Sequence, residues 1–203
     1  MKAIVLLNGD PYRLQLKKDG YVYCCDGAYD WAKEKIEIDE NLGDFDSITE
    51  SPIPSPSCIY PTEKNYTDGE IAIRRAVKMG ADEILIYGGF GKRADHFLGN
   101  LHLLRLAHDL GARAKMISPR EYITYGEGYI DLSGLNGQTL SIVPFGADAH
   151  IIESSGLKYP LMELDLKYGS TRGISNVAVC EKAHIVARGG VLVIVNKSIE
   201  KTL

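Results

Sequence analysis

The stretch EILIYGGFGKRADHFLGNLHLLRLAHDLGARAKMI, residues 83–117, decides the fold of the first part of the chain. Its apolar run over residues 83–87 predicts a buried strand that leads into a pair of glycines. Residues 95–110 carry apolar side chains at helical spacing before a glycine, and residues 112–117 predict another strand. A strand, a helix and a strand in this order indicate a βα unit with parallel neighbouring strands.

The same alternation extends upstream of this unit. Thr67 and Glu70 form a capping-box pattern, which predicts a helix that ends near Gly80. Further strands are predicted over residues 3–7 and 21–25, and a helix over residues 28–35. Short extended pieces are predicted before residue 43 and over residues 58–60. We therefore expect an α/β domain with a mostly parallel sheet over residues 1–120.

The pattern changes after residue 120, where short β-rich runs are separated by Gly, Asn and Pro. Gly189-Gly190 lies between two such runs and predicts a two-residue hairpin turn. The expected strands cover 122–125, 129–132, 139–143, 150–154, 162–166, 177–181, 183–187 and 191–195. They predict an all-β antiparallel sandwich domain over residues 121–203.

Composition limits the class of protein. The chain has 203 residues, 45% of them hydrophobic, a formal net charge of -4 and a pI near 5.7. This argues against non-specific binding to nucleic acid or membranes, which requires a basic surface. The four cysteines lack metal-ligand spacing and are expected as free thiols in a reducing compartment. The N-terminal apolar run is too short for a signal peptide or a membrane span, so we expect a cytoplasmic protein.

Acidic residues follow the predicted strands. In an extended Gly43-Asp44-Phe45-Asp46-Ser47 segment, Asp44 and Asp46 would point to one face, about 7 Å apart, where they could share a hard cation. Asp68, in the first turn of the helix after Thr67, could be a third metal ligand. The competing interpretation is a surface turn at residues 43–47 and ordinary helix capping by Asp68.

A glycine-rich loop with cations follows the strand over residues 83–87. Residues 88–96 carry three glycines, then Lys92 and Arg93, and Asp95 and His96 at the start of a helix, an arrangement that suits phosphate binding. The spacing is neither that of a Walker A loop nor that of a dinucleotide fingerprint. Lys64 precedes the other helix N-terminus, which also attracts anions. Together the segments indicate transfer of a phosphate group from a nucleotide bound with Mg²⁺.

Six segments in this order resemble motifs of the thiamine pyrophosphokinase (thiamine diphosphokinase) family: residues 25–28, 43–47, 64–68, 88–96, 156–161 and 173–176. In the same order, the family's motifs are an Asp-Gly-rich turn after its second strand, G-D-F-D-S, K-D-x-T-D, G-G-x-G-x-R-x-D-H, G-L-x-Y-x-L and G-x-S-N. Asn65 stands at the first acidic position of the third motif, which removes one charge there.

The resemblance implies a transferase of thiamine diphosphate biosynthesis that moves diphosphate from ATP to the hydroxyl of thiamine and releases AMP. It implies an N-terminal catalytic domain that binds ATP and Mg²⁺, a C-terminal thiamine-binding sandwich, and a homodimer with active sites between subunits. By this resemblance Mg²⁺ would be held by Asp44, Asp46 and Asp68, which with Asp95 form the catalytic set. ATP would be bound by Asp26, Lys64, Gly89, Arg93, Asp95 and His96, and thiamine by Ser175 and Asn176.

The residues are compatible with more than one proton acceptor and more than one function. Either Asp68 or Asp95 could accept the hydroxyl proton. Trp31 is expected in the core, whereas Tyr159 and Tyr168 are candidates for contact with the acceptor. Alternative functions are a related diphosphokinase that acts on another small alcohol such as a hydroxymethylpterin, a non-catalytic nucleotide-binding regulator, and a dinucleotide oxidoreductase. The last lacks the fingerprint spacing and leaves Asp44 and Asp46 unexplained.

Overall fold

The computed structural model describes residues 1–46, 48, 56–61 and 65–197. Contacts within the chain divide it into two units, Met1–Pro119 and Arg120–Leu203. Among the helices described, none has the length and apolar character needed to cross a bilayer.

The first unit alternates strands and helices around a parallel sheet. The strand order is β6-β5-β1-β2-β3-β4, and each neighbouring pair is parallel. The elements are β1 (Lys2–Leu6), β2 (Tyr21–Cys25), α1 (Tyr29–Ala32), β3 (Glu40–Gly43), β4 (Ser57–Ile59), α2 (Asp68–Lys78), β5 (Glu83–Tyr87), α3 (Ala94–Asp109) and β6 (Arg113–Ile117). The expected parallel α/β pattern is therefore present in this unit.

Burial explains why these runs become strands. Residues 3–6 of β1 are at most 1% exposed on both faces, as in a parallel sheet covered on both sides. The helix predicted over residues 28–35 is shorter, because a 3₁₀ turn at Asp26–Ala28 precedes the four-residue α1. Trp31 packs against the cluster around β1 and β2, as expected, and its Nε1 donates to the Leu7 carbonyl at 3.2 Å.

The Thr67 cap fixes the start of α2. The Thr67 hydroxyl accepts a 3.2 Å hydrogen bond from the backbone N–H of Glu70, which confirms the predicted N-cap. The Glu70 side chain turns to Arg74 instead of the cap backbone, so the reciprocal half of the capping box is replaced by an ion pair along the helix.

The second unit is built from antiparallel strand pairs. Its strands are β7 (Glu121–Asp131), β8 (Thr139–Pro144), β9 (Ala149–Ser155), β10 (Leu164–Leu166), β11 (Asn176–Val177) and β12 (His184–Asn196). Strand β12 pairs with β7 along nearly its whole length, with β9 through residues 184–188 and with β8 through residues 191–195. The pairs β9–β10 and β8–β11 complete the pattern.

The predicted hairpin at Gly189-Gly190 is wrong. The two flanking runs form the single strand β12, whose register against β7 shifts between Ala187 and Val191. Gly189 has a φ of 93°, and a Cβ on Gly190 would lie 2.0 Å from the Tyr125 hydroxyl. The glycines therefore form a bulge inside a strand, which bends the strand between two partners.

Two further strand predictions are corrected. The runs over residues 122–125 and 129–132 are one strand, β7, in which Gly128 adopts a φ of 73° without ending the ladder. The strand predicted over residues 177–181 is reduced to Asn176–Val177, because the chain then turns through residues 179–182.

Candidate active site

The loops that follow β1 and β5 bind each other. The backbone N–H of Gly9 donates to the Gly88 carbonyl at 2.7 Å, and that of Asp10 donates to the Phe90 carbonyl at 2.6 Å. A Cβ on Gly9 would lie 2.2 Å from the Gly88 oxygen, so this approach requires glycine. The two loops are thus joined at the carboxyl ends of neighbouring strands, where open parallel sheets bind their ligands.

Three carboxylates meet at the ends of β2 and β3. One oxygen from each of Asp26, Asp44 and Asp46 lies within 4.8 Å of the others. Gly43 allows this approach, because a Cβ there would lie 3.0 Å from the Cβ of Asp26. We call Asp26, Asp44 and Asp46 the carboxylate cluster.

A turn, rather than the predicted extended segment, brings Asp44 and Asp46 together. Phe45 between them has a φ of 60° and is only 8% exposed. Burial of the Phe45 ring holds this left-handed residue in place, and the two neighbouring carboxylates reach the same point. Ser47 of the same motif lies outside the described residues.

The cluster suits a hard divalent cation. Asp26 has a φ of 46°, and its Oδ1 atom is buried without a hydrogen-bond partner in the part of the chain that the structure describes. A buried acceptor beside two further carboxylates is the donor set that Mg²⁺ or Ca²⁺ prefers. Asp26 was predicted to bind ATP, which stays a prediction; the structure places it beside the two predicted metal ligands and also on the wall of a cavity.

Asp68 is not a member of the carboxylate cluster. It is the first residue of α2 and lines the same cavity as Asp26, but it is not in the group of metal-ligating atoms found among the described residues. Its metal role stays a prediction. Lys64, predicted to bind ATP, lies outside the described residues, whereas Asn65 lines the cavity.

The start of α3 carries an ion pair. Arg93 donates from Nε to Asp95 Oδ1 at 3.1 Å and from Nη2 to Asp95 Oδ2 at 2.7 Å. Oδ1 also accepts from the backbone N–H of His96 at 2.9 Å, so Asp95 binds one of the free N–H groups in the first turn of α3, whose N-cap residue is Arg93. The bond from Arg93 holds the pKa of the Asp95 carboxyl at about 2, and the same pair raises the pKa of the Arg93 guanidinium. Asp95 is therefore a carboxylate at neutral pH.

One cavity of about 910 Å³ lies in the first unit, beside Asp26, Asp68 and the start of α3. Its wall combines the loop after β1, the start of α2 and one face of α3, and includes Asp26, Asp68, Lys92, Arg93, Asp95 and His96. The volume lies in the range of small-molecule sites. A helix N-terminus, a guanidinium and an ammonium at one end make that end suitable for phosphate groups.

Gly89 does not reach the cavity wall, although it was predicted to bind ATP. It is buried, its carbonyl accepts from Asn100 Nδ2 at 3.0 Å, and a Cβ there would lie 2.4 Å from Met116 Sδ. Gly91 lines the cavity instead, with a φ of 71°. Asn8 also lines it and accepts from Lys92 Nζ at 2.7 Å. The Asn8-Gly9 pair after the first strand was the available signal for this loop.

In the second unit, Ser175 and Asn176 occupy different environments. Ser175 is exposed, with a φ of 61°, and its N–H donates to Ser141 Oγ at 3.1 Å. Asn176 is 2% exposed: Oδ1 accepts from the N–H groups of Tyr159 at 3.1 Å and Val177 at 2.8 Å, and Nδ2 donates to the Tyr159 carbonyl at 2.7 Å. The Asn176 amide therefore fixes the backbone of Tyr159, whose ring is exposed.

Two family models match the chain. The model of the thiamin pyrophosphokinase catalytic domain matches residues 12–116, and the model of the thiamin pyrophosphokinase vitamin B1 binding domain matches residues 129–192. The two matched ranges fall in the first and second units respectively.

Curated and solved relatives agree with these matches. The chain is 33% identical to the thiamine pyrophosphokinase of Bacillus subtilis over 167 aligned residues. The alignment covers 78% of each protein. The crystal structure of thiamine pyrophosphokinase from Bacillus subtilis aligns with a TM-score of 0.83 at 26% identity, covering 97% of this chain and 99% of that one. The crystal structure of the enzyme from Geobacillus thermodenitrificans has the same fold, with a TM-score of 0.80 at 24% identity over the full length of both chains. This chain belongs to the thiamine pyrophosphokinase family.

Proposed function

We propose that the protein is a thiamine diphosphokinase, which transfers diphosphate from ATP to the hydroxyl of thiamine and yields thiamine diphosphate and AMP. The observation that carries this proposal is one cavity that joins the carboxylate cluster, through Asp26, to the cationic start of α3. Cation-binding carboxylates beside phosphate-binding cations are what transfer from a metal-bound nucleotide requires.

The first unit is the proposed catalytic, ATP-binding and Mg²⁺-binding domain. Asp44 and Asp46, with Asp26, would hold Mg²⁺, and Asp68 would complete the set when substrates are bound. Bound there, Mg²⁺ supplies neutralisation of the β- and γ-phosphate oxygens. Arg93 would exchange Asp95 for a phosphate group, because the guanidinium fork fits both partners.

The proposed chemical step is in-line attack by the acceptor hydroxyl on the β-phosphorus of ATP. The new bond joins the hydroxyl oxygen to the β-phosphorus, and the bond between the β-phosphorus and the oxygen bridging to the α-phosphate breaks, so AMP leaves. Asp68 or Asp95, both on the cavity wall, would accept the hydroxyl proton; Asp95 becomes more basic once Arg93 has exchanged it for a phosphate group.

The second unit is the proposed thiamine-binding β-sandwich of a cytoplasmic homodimer, with each active site completed by the other subunit. Ser175 would contact thiamine directly. Asn176 would act through Tyr159, because its amide is already bonded to the Tyr159 backbone. The Tyr159 ring is exposed and Lys158 Nζ lies over one of its faces, 5.5 Å from the centroid, so a flat cation such as thiamine would stack on the opposite face.

The test is an incubation of the purified protein with ATP, Mg²⁺ and thiamine, followed by separation of the nucleotide and thiamine products. AMP together with thiamine diphosphate, dependent on all three inputs, is the expected result. ADP with thiamine monophosphate would refute attack at the β-phosphorus. Product formation only with a hydroxymethylpterin would replace the acceptor, and tight Mg-ATP binding without turnover would favour a nucleotide-binding regulator.

Asp46→Asn examines the carboxylate cluster within this assay. We expect turnover to be abolished while the protein stays folded, with a melting temperature without Mg²⁺ at or above that of the unchanged chain, because loss of the exposed Asp46 charge relieves repulsion within the cluster. The matched control is Asp109→Asn, which removes an exposed carboxylate paired with Arg105 on α3 and should leave turnover unchanged. A folded Asp46→Asn protein with near-normal turnover would exclude Asp46 as a metal ligand.

A further inference from the structure

Gly99 in helix α3 is a glycine that contacts with the described part of the chain do not explain. It is the sixth residue of the 16-residue helix Ala94–Asp109, where glycine is less favourable than any residue except proline. Its φ is not positive, so the backbone does not require glycine. A Cβ placed on Gly99 would meet no heavy atom within 4 Å among the described residues, so packing within that part of the chain does not require glycine either.

Other glycines in the described part of the chain differ from Gly99. Those with equally open surroundings all have a φ between 73° and 90°, which favours glycine at Gly80, Gly111, Gly128, Gly134, Gly137 and Gly169. Gly69, which lines the same cavity from α2, is explained by packing, because a Cβ there would lie 3.0 Å from Leu103 Cδ1 and 3.1 Å from Leu7 Cδ2.

The position of Gly99 suggests what occupies the open space. Gly99 lines the 910 Å³ cavity, three residues after His96 and four before Leu103, which line it too. Residues at these spacings share one face of a helix. Leu106 continues the same face, and at 1.5 Å per residue the stripe from His96 to Leu106 is about 15 Å long. The stripe runs from the charged start of α3 to an apolar end, with Gly99 between them.

We propose that Gly99 is a specificity-determining residue for the nucleotide: it keeps the α3 backbone open so that the ribose and purine of ATP can lie against it. This inference rests on the proposed function. The phosphates of ATP would bind at Arg93 and the first turn of α3, and the purine would reach Leu103 and Leu106. The ribose between the phosphates and the purine would pass over residue 99. A side chain there would project into the cavity at this crossing.

Gly99→Ala and Gly99→Leu test the proposal, because alanine and leucine both favour helices and fill the space to different degrees. We expect both variants to fold, with melting temperatures equal to or above that of the unchanged chain. By calorimetry, Mg-ATP should bind about tenfold more weakly to Gly99→Ala, as expected for one methyl group forced into a fitted site, and more weakly still to Gly99→Leu. Leu98→Ala is the control: Leu98 is 59% exposed on α3 and does not line the cavity, so Mg-ATP binding should not change.

Magnesium tripolyphosphate separates the two ends of the cavity. It has no ribose or purine, so Gly99→Leu should bind it as the unchanged chain does. Equal affinity of all variants for Mg-ATP would overturn the proposal, and so would equal weakening of Mg-ATP and tripolyphosphate binding. A change of oligomeric state by light scattering, with Mg-ATP affinity intact, would also overturn it and assign residue 99 to a subunit contact.

The inference and the proposed function fail in different ways. If Gly99→Leu selectively loses Mg-ATP while the unchanged chain binds it without forming thiamine diphosphate, the nucleotide inference is supported and the acceptor is wrong. If the unchanged chain forms thiamine diphosphate and both Gly99 variants do so with the same KM for ATP, the inference is wrong and the function is supported. If the unchanged chain binds no Mg-ATP, both are overturned.

Discussion

Replacing Asp26 by asparagine would separate the charge of the carboxylate cluster from its shape. Asp26 has a φ of 46°, a conformation that aspartate and asparagine tolerate better than most residues. Asparagine also has nearly the same shape. Asp26→Asn therefore removes one negative charge while the 3₁₀ turn at Asp26–Ala28 can be kept.

The expected magnitude follows from the geometry of the cluster. Carboxylate oxygens of Asp26, Asp44 and Asp46 lie within 4.8 Å of one another. Two unit charges at that distance repel by about 1 kcal/mol in a water-like dielectric and by roughly 3.5 kcal/mol at an effective dielectric constant of about 20. Asp46 is exposed whereas Asp26 and Asp44 are half-buried, so we take the lower value as the minimum for each pair. Removing two repulsive pairs should raise the free energy of unfolding by about 2 kcal/mol, or the melting temperature by roughly 4–8 °C, when no divalent cation is present.

The assay is thermal unfolding with and without Mg²⁺, followed by circular dichroism, together with calorimetric titration of Mg²⁺. The unchanged chain should be stabilised by Mg²⁺, because an ion that binds only the folded state shifts the equilibrium toward it. Asp26→Asn should be more stable without Mg²⁺ and gain less from adding it. Glu163→Gln is the matched control, since Glu163 has a φ of 51°, is exposed, and lies outside the cluster.

The reasoning would be refuted by an Asp26→Asn protein that is less stable without Mg²⁺ and keeps the full stabilisation when Mg²⁺ is added. That result would mean that the three carboxylates do not repel one another in the free protein and that Asp26 is not a ligand.

Three further changes test other parts of the structure. In Arg93→Gln, the pKa of Asp95 should rise from about 2 toward the ordinary aspartate value, which NMR titration measures. In the unchanged chain this pKa is depressed by folding. The Arg93–Asp95 pair therefore stabilises the fold fully above the ordinary aspartate pKa, and this stabilisation is lost as the pH falls toward about 2. Gly190→Ala should destabilise the second unit by about 1–3 kcal/mol in denaturant unfolding, since its Cβ would lie 2.0 Å from the Tyr125 hydroxyl; an unchanged midpoint would contradict the bulge. Thr67→Ala should lower the unfolding free energy by about 1 kcal/mol through loss of the cap, whereas Thr67→Ser should keep it.

The first unit could be predicted closely from the sequence, because buried parallel strands leave continuous apolar runs and helices leave periodic ones. The strand over residues 83–87 agrees with β5 in both bounds, and the predicted helix over residues 95–110 differs from α3 by one residue at each end. These elements depend on local patterns, which a single sequence contains.

The second unit was less predictable, because its strand boundaries depend on distant partners. A glycine pair between β-rich runs is a signal for a hairpin and also for a bulge. At Gly190 the deciding neighbour is the Tyr125 hydroxyl, and at Gly189 it is the Asp148 carbonyl oxygen, 2.9 Å from the position of a Cβ. Neither neighbour is close in sequence, so the local pattern could not choose between the two structures.

The candidate site shows the same limit. The pairing of Asp44 with Asp46 could be predicted because they belong to one motif. The addition of Asp26 depends on the parallel register of β2 and β3, in which Cys25 is opposite Leu42, and this register brings the two strand ends together. Likewise, the contact of Asn8 with Lys92 follows from the pairing of β1 with β5 and crosses 84 residues of sequence.

Strand β12 also has a consequence for the order of folding during synthesis. Three earlier strands, β7, β8 and β9, each pair with β12, and these long-range pairs form only after residues 184–196 have left the ribosome. The parallel strand pairs of the first unit, up to β5 with β6, involve no residue after Ile117 and can form while the rest of the chain is being made. A nascent chain stalled before residue 184 should therefore carry a protease-resistant first unit and a second unit still open to cleavage. The bulge at Gly189 and Gly190 bends β12, so this single strand pairs with β9 before the bulge and with β8 after it. The strand pairing of the second unit is therefore completed by one element that is made late.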